Sequence, residues 1–230
     1  MSYFKNESKR KGIRLISPIN YYFPFRYQKD IEKQILWFLL AFILYEKKYD
    51  QTLDVGCGLG RNIRFIKYNH YTGTDIQEKV VDTCQNEMSS PQISFITQDI
   101  TKEDCPTFSK RYDLILLIQV LTNRFYDQQK IDITLRNIIK MSKGKILFNT
   151  MKNFDTEIFD NVLVTNNIKF KKIYFGLPKM IMRIKIPIIS QIIALLFLPL
   201  ILVKSILYDL TEEIPLHARN NILYICEKLC

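Results

Sequence analysis

Cysteine is scarce and scattered in this chain. Cys57, Cys84, Cys105, Cys226 and Cys230 form no C-x-x-C pair and no metal-ligand spacing. That argues against a zinc module or a disulfide framework, leaves no metal expected, and fits a reducing, cytosolic setting. The basic amino terminus, MSYFKNESKRKG, has no apolar run directly behind it, so it does not read as a signal peptide. No internal repeat or low-complexity tract is present. Acids are outnumbered, with 23 Asp and Glu against 33 Lys and Arg, a formal net charge of +10. Glycine is also rare, at seven residues, yet three of the seven stand at alternate positions in one short stretch. At 230 residues the chain suits one well-packed domain and is short for two.

That stretch is Leu53-Asp54-Val55-Gly56-Cys57-Gly58-Leu59-Gly60-Arg61. Leu53 and Val55 read as the buried end of a strand, and Asn62 to Tyr68 as the helix that follows. Alternate glycines let the backbone bend sharply and admit a ligand where any Cβ would collide. Amides of the turn and the helix N-terminus then face an anionic or polar group, while Asp54 offers the opposite charge to an amine. A dinucleotide fingerprint would read G-x-G-x-x-G, whereas this turn reads D-x-G-x-G-x-G. The pattern continues in order. A second strand, His70 to Ile76, carries Asp75 about twenty residues on, where a ribose-binding acid belongs in doubly wound folds. A third, Ile93 to Thr97, leads to Asp99-Ile100; a fourth, Tyr112 to Ile118, ends at Gln119-Val120-Leu121; a fifth, Lys145 to Asn149, follows Ser142-Lys143-Gly144. For Asp75 or Asp99 alone, a helix N-cap is the competing reading.

The turn with its ordered acids resembles motif I and the following strands of the class I S-adenosylmethionine-dependent methyltransferases, over roughly Thr52 to Thr150. The resemblance implies a Rossmann-like, doubly wound seven-stranded α/β sheet whose last strand is antiparallel and inserted beside the fifth. It implies one domain over 1–230: an N-terminal helical lid at 1–50, a cofactor core at 51–150, and a C-terminal half at 151–230 holding an apolar helical insertion at 177–215. Residue by residue, Gly56, Gly58 and Gly60 would cradle the methionine part of S-adenosyl-L-methionine, with Asp54 near its amino group. Asp75 would take the ribose hydroxyls and Ile76 would lie on the adenine face. Asp99 would accept from the adenine amino group, the Ile100 backbone would face the ring nitrogen, and Gln119 would touch the methionine end.

Outside that core, Ile186 to Val203 (IPIISQIIALLFLPLILV) carries no charge, and Lys185 and Lys204 bracket it. Pro187 and Pro199 interrupt it, so it reads as a broken helix or two short ones. A bilayer crossing would strand the final strand, Asn221 to Glu227, away from its sheet. The segment is therefore expected to lie on a membrane, with a cap over the pocket or a dimer face as the alternatives. Lys179, Arg183, Lys185 and Lys204 suit anionic headgroups. For the net charge as a whole, a solvated basic surface comes first and membrane attraction next. Nucleic-acid binding ranks last, despite Lys9-Arg10-Lys11 and Lys169-Phe170-Lys171-Lys172.

Near the amino terminus, Tyr21-Tyr22-Phe23-Pro24-Phe25-Arg26-Tyr27 precedes a helix from about Lys29 to Lys47. Its aromatics could close over a sulfonium by cation–π attraction or simply pack on the sheet. The run Ile35 to Tyr45 is almost wholly apolar and too short to span a bilayer.

For catalysis the sequence offers no plain base. The fourth strand lacks the Asn/Asp-Pro-Pro-aromatic tetrad typical of amino-group methylation. It also lacks the Glu-His pair of many small-molecule methyltransferases; Thr122-Asn123 stands there instead. His217, Asn123 and Tyr22 are the weak candidates, and His217 also reads as a surface histidine. The lead Pro215-Leu216-His217-Ala218-Arg219-Asn220-Asn221 and the apolar insertion look like bacterial methyltransferases of cell-surface glycans and lipid-linked intermediates. The expected activity is methylation, at oxygen, of a small-molecule, glycan or lipid-linked acceptor by a cytoplasmic enzyme at the membrane. A nucleic-acid or protein methyltransferase and a non-catalytic binding subunit are the rivals.

Overall fold

A computed structural model describes residues 36–37, 39–45, 47–102, 110–121, 127–151, 156–175 and 221–228. Seven strands form one sheet in the order β3-β2-β1-β4-β5-β7-β6. They are β1 (Lys48–Val55), β2 (Lys67–Asp75), β3 (Ile93–Thr97), β4 (Tyr112–Leu117), β5 (Ser142–Met151), β6 (Ile168–Phe175) and β7 (Asn221–Lys228). The pairs linking β3, β2, β1, β4 and β5 are parallel. β7 runs antiparallel to β5 on one side and β6 on the other, as expected. Strands covered on both faces read as apolar runs, and β4 (YDLILL) has four consecutive buried residues, Leu114 to Leu117.

Three helices are described after the first strand: α1 (Glu78–Met88), α2 (Gln128–Met141) and α3 (Thr156–Thr165). Asp127 caps α2 by accepting from the Lys130 N–H at 2.8 Å, a bond that satisfies one of the free amides of the first turn. The two faces of the sheet carry separate apolar cores. One joins Tyr71, Phe95, Leu114, Leu116 and Leu147 to Val81 and Cys84 of α1 and to Leu36, Trp37, Leu40 and Leu44. The other joins Leu53, Val55, Ile115, Phe148 and Tyr224 to α2 and α3. In the second core the Phe148 and Tyr224 rings stack at 4.5 Å. The Tyr224 hydroxyl donates to Asp160 of α3 at 3.1 Å, and Asp160 also pairs with Lys172 of β6.

The helical residues 36–37 and 39–44 pack on the sheet rather than standing clear of it. Trp37 stacks on Phe65 at 5.2 Å. Phe42 and Tyr45 point outward, 75% and 68% exposed. The segments Tyr21–Tyr27 and Ile186–Val203, and with them Tyr22, Asn123 and His217, lie outside the described residues.

The second strand starts earlier than read, at Lys67, and ends at Asp75 rather than Ile76; the fifth is longer, Ser142–Met151 in place of Lys145 to Asn149; and one element differs in kind. In place of a helix over Asn62 to Tyr68 there is a single 3-10 turn, Arg61–Phe65, and Ile66 is already extended. The register Lys48↔Lys67 begins β2 at Lys67, which leaves only residues 56–66 for the crossover. Asn62 also turns its side chain to Asp54 instead of to solvent. A turn of five residues has no helix N-terminus to present to an anion.

Candidate cofactor site

All three glycines of the turn have left-handed φ: +65° at Gly56, +52° at Gly58 and +68° at Gly60. Two reasons for glycine separate here. At Gly56 a β-carbon would stand 2.5 Å from Cγ2 of Val120, so the position is closed by packing as well as by φ. At Gly58 a β-carbon would meet nothing within 4 Å, so this glycine borders open space. The turn brings its open flank to the carboxyl ends of β1 and β2, where ligands bind in doubly wound sheets.

The amides of the turn are less free than the sequence suggested. The Gly58 N–H donates to Oδ2 of Asp75 at 3.0 Å, the Cys57 N–H to the Thr74 carbonyl at 2.9 Å, and the Gly60 N–H to the Cys57 carbonyl at 3.0 Å. Asp75 also accepts from the Gln77 N–H at 3.0 Å through Oδ1. Each of its oxygens thus holds one backbone donor and keeps lone-pair capacity for a hydroxyl pair. Ile76, next in the chain, is 64% exposed, an apolar surface beside a half-buried acid. The Gly58 carbonyl lies 3.5 Å from the Cys57 thiol and 3.3 Å from the Cys84 thiol. Burial pushes the Cys57 thiol well above its ordinary range. It stays a neutral donor, not a nucleophile.

Asp54 sits behind the turn, fully buried. Its Oδ1 accepts from Asn62 Nδ2 at 2.7 Å and its Oδ2 from the Tyr71 hydroxyl at 2.6 Å. Burial pushes the carboxyl up to about 7, against the pull of those two bonds, and the charge of Asp75 adds to the rise. Asp54 therefore braces the turn to β2 and to the 3-10 turn. Asn62 and Tyr71 were invisible as partners in the sequence, since nothing local links them to the acid.

The next two loops carry the other residues that the resemblance assigned to the cofactor. Asp99 Oδ1 accepts from the Thr101 N–H at 3.0 Å and the Thr101 hydroxyl at 2.7 Å, so it shapes the bend after β3. The Ile100 side chain is buried in the second core, and its carbonyl accepts from Asn137 Nδ2 of α2 at 2.9 Å. The same Asn137 amide reaches the Lys102 carbonyl, also at 2.9 Å. Asn137 was missed in the sequence; its one signal is a polar residue inside the buried stripe of α2. Gln119 follows β4 with φ +63°, and its N–H donates to Asn149 Oδ1 of β5 at 2.7 Å. A cavity of about 480 Å³ opens at the other ends of the strands, among Gln51, His70, Thr72, Ser94 and Arg111. It is lined by none of the residues of the turn.

Residues 52–144 match a protein family described as a methyltransferase domain. The chain carries a class I S-adenosylmethionine-dependent methyltransferase domain. The matched span nearly coincides with the stretch whose motifs carried the resemblance. Solved structures agree on the fold. A TehB-like S-adenosylmethionine-dependent methyltransferase from Corynebacterium glutamicum is similar over 99% of each chain, at 13% identity and a TM-score of 0.58. The magnesium protoporphyrin IX methyltransferase of Synechocystis PCC 6803, with its cofactor bound, has 13% identity and a TM-score of 0.54 over 88% of this chain and 79% of that one. The N-methyltransferase NodS from Bradyrhizobium japonicum, bound to S-adenosylhomocysteine, has 15% identity and a TM-score of 0.53 over 89% and 88%. No curated protein sequence matches the chain.

The methyltransferase domain fits its cofactor on the evidence of its own side chains. An open glycine flank, an acid with spare acceptor capacity and an exposed apolar residue adjoin one another at Gly58, Asp75 and Ile76. Among the described residues no group of three or more His, Cys, Asp and Glu could hold a metal ion.

Proposed function

We propose that the chain methylates an oxygen of a small-molecule, glycan or lipid-linked acceptor, working at or near a membrane from the cytoplasmic side. The observation that carries the cofactor half of this reading is the open flank of Gly58 beside Asp75. In this reading Gly56, Gly58 and Gly60 cradle the methionine part, Asp75 accepts from both ribose hydroxyls and Ile76 covers the adenine. Asp99 and the Ile100 backbone face the adenine edge, and Gln119 borders the methionine end. Asp54 lies near the amino group, behind the turn. The bound cofactor supplies a methyl group activated by a positive sulfur. The protein's own part is to hold the acceptor in line and to keep water out, and no described side chain stands out as a base.

The acceptor half rests on the sequence. The uncharged run 186–203 and its flanking Lys179, Arg183, Lys185 and Lys204 suit an amphiphilic acceptor and an anionic surface. Tyr22, Asn123 and His217 are the residues proposed on the acceptor side, again from sequence alone. The similar structures include a porphyrin methyltransferase and an N-methyltransferase. Their variety fits a shared cofactor core with the acceptor chosen elsewhere in each chain.

Calorimetry with S-adenosylhomocysteine tests the cofactor half. Asp75→Ala removes the acceptor for two hydroxyls and should weaken binding by roughly 1.5–3 kcal/mol for each bond lost. Gly58→Val should also weaken it, because the side chain enters the open flank and φ is left-handed. Unchanged affinity in both variants would refute this placement of the site.

A further inference from the structure

Gln119 has a left-handed backbone, φ +63°, two residues beyond β4. A residue with a β-carbon adopts that region at a cost and keeps it only where its surroundings hold it. Asn167, the other described non-glycine residue of positive φ, lies in the turn after α3, where a left-handed residue is an ordinary way to end a helix. Gln119 ends no helix. It is held instead from a neighbouring strand: its N–H donates to Asn149 Oδ1 at 2.7 Å. Asn149 is 6% exposed and sits in β5 opposite Leu223 of β7, so its carboxamide has an interior strand behind it. The following residue, Val120, presses on the glycine turn at the place where a β-carbon of Gly56 would be. A continuous set of contacts therefore runs from β5, through the end of β4, to the first glycine of the site.

We propose that Asn149 is a positioning residue for cofactor binding. Its hydrogen bond holds Gln119 left-handed, the Gln119 backbone seats Val120 against Gly56, and that contact sets the shape of the glycine turn. Asn149 touches no ligand in this scheme. The inference rests on the reading that the turn binds S-adenosylmethionine, and it adds a residue to which the resemblance gave no role.

The test is calorimetric titration with S-adenosylhomocysteine, paired with thermal unfolding of the ligand-free protein. Asn149→Ala should weaken binding about ten-fold, the scale of one well-made hydrogen bond. Asn149→Asp keeps the acceptor oxygen and should stay within about three-fold of the wild type. Gln119→Gly takes the left-handed conformation without strain, so adding Asn149→Ala to it should change affinity little. A purely structural role would instead lower the melting temperature equally in both backgrounds and leave the affinities unlinked. If Asn149→Ala alone does not fold, recovery of folding and binding in the Gln119→Gly background supports the proposal, and failure there overturns it. Equal affinity of Asn149→Ala and a wild type that binds also overturns it. A wild type that ignores the ligand overturns the cofactor reading, and this inference with it.

Discussion

At the scale of single residues, Asp54 makes the turn sensitive to pH. Its carboxyl titrates at about 7 in the folded protein because burial outweighs its two hydrogen bonds. The unfolded chain releases the same proton near the ordinary carboxylate value, about 4. As pH rises from about 4 to about 7 the unfolded state loses its proton first, so stability falls by up to about 1.4 kcal/mol per pH unit and then levels off. The favourable contribution is fully present below that window. Asp54→Asn removes the titration and keeps the shape; Tyr71, a hydroxyl, can either donate or accept. Urea denaturation at stepped pH should show the difference between variant and wild type growing across the window. Parallel curves would mean that the carboxyl is not raised.

At the scale of elements, the strands were legible and the turn-supporting contacts were not. β3 was read at its observed limits, and the antiparallel place of the last strand followed from the resemblance. Buried strands announce themselves by apolar runs that end in Gly and Asp, which is a local signal. The helix read over Asn62 to Tyr68 became one 3-10 turn, because the register of β2 and the bond from Asn62 to Asp54 overrode local preference. Asn137, Asn149 and Tyr71 escaped notice for a related reason: their partners lie 37, 30 and 17 positions away. β7 is the element on which the second half of the sheet depends. Ile222, Leu223, Tyr224 and Cys226 are all buried, and burial contributes about 1.5–3 kcal/mol for each large apolar side chain. Their sum rivals the whole stability of an ordinary domain, about 5–15 kcal/mol. A chain ending at Asn220 should therefore be insoluble or unfolded, with β5 left as a bare edge and β6 without its partner. A soluble product with native circular dichroism would contradict that dependence.

At the scale of the whole molecule, a net charge of +10 and the apolar run 186–203 lead to the membrane part of the proposal. Among the described residues no helix is long and apolar enough to cross a bilayer, and the run itself lies outside them. Wild-type protein should pellet with vesicles containing anionic lipid, and salt should weaken the association by screening the flanking Lys and Arg. Replacing Leu195, Leu196 and Phe197 with Ser should release it, each side chain contributing about 1.5–3 kcal/mol when buried. Protein that stays in solution at low salt would sink this reading, as would a triple variant that still pellets. The strand order has a further consequence, for biosynthesis. As a ribosome delivers β2, β3, β4 and β5, each finds one parallel neighbour already made, so the cofactor half can pair as it emerges. β6 must wait, since its one partner among the described strands is β7, which is made only after the long segment between them. Until β7 clears the exit tunnel, β5 has an open edge and Phe170 and Ile173 have no sheet to join. Quality-control proteases should find nascent chains most vulnerable in that interval.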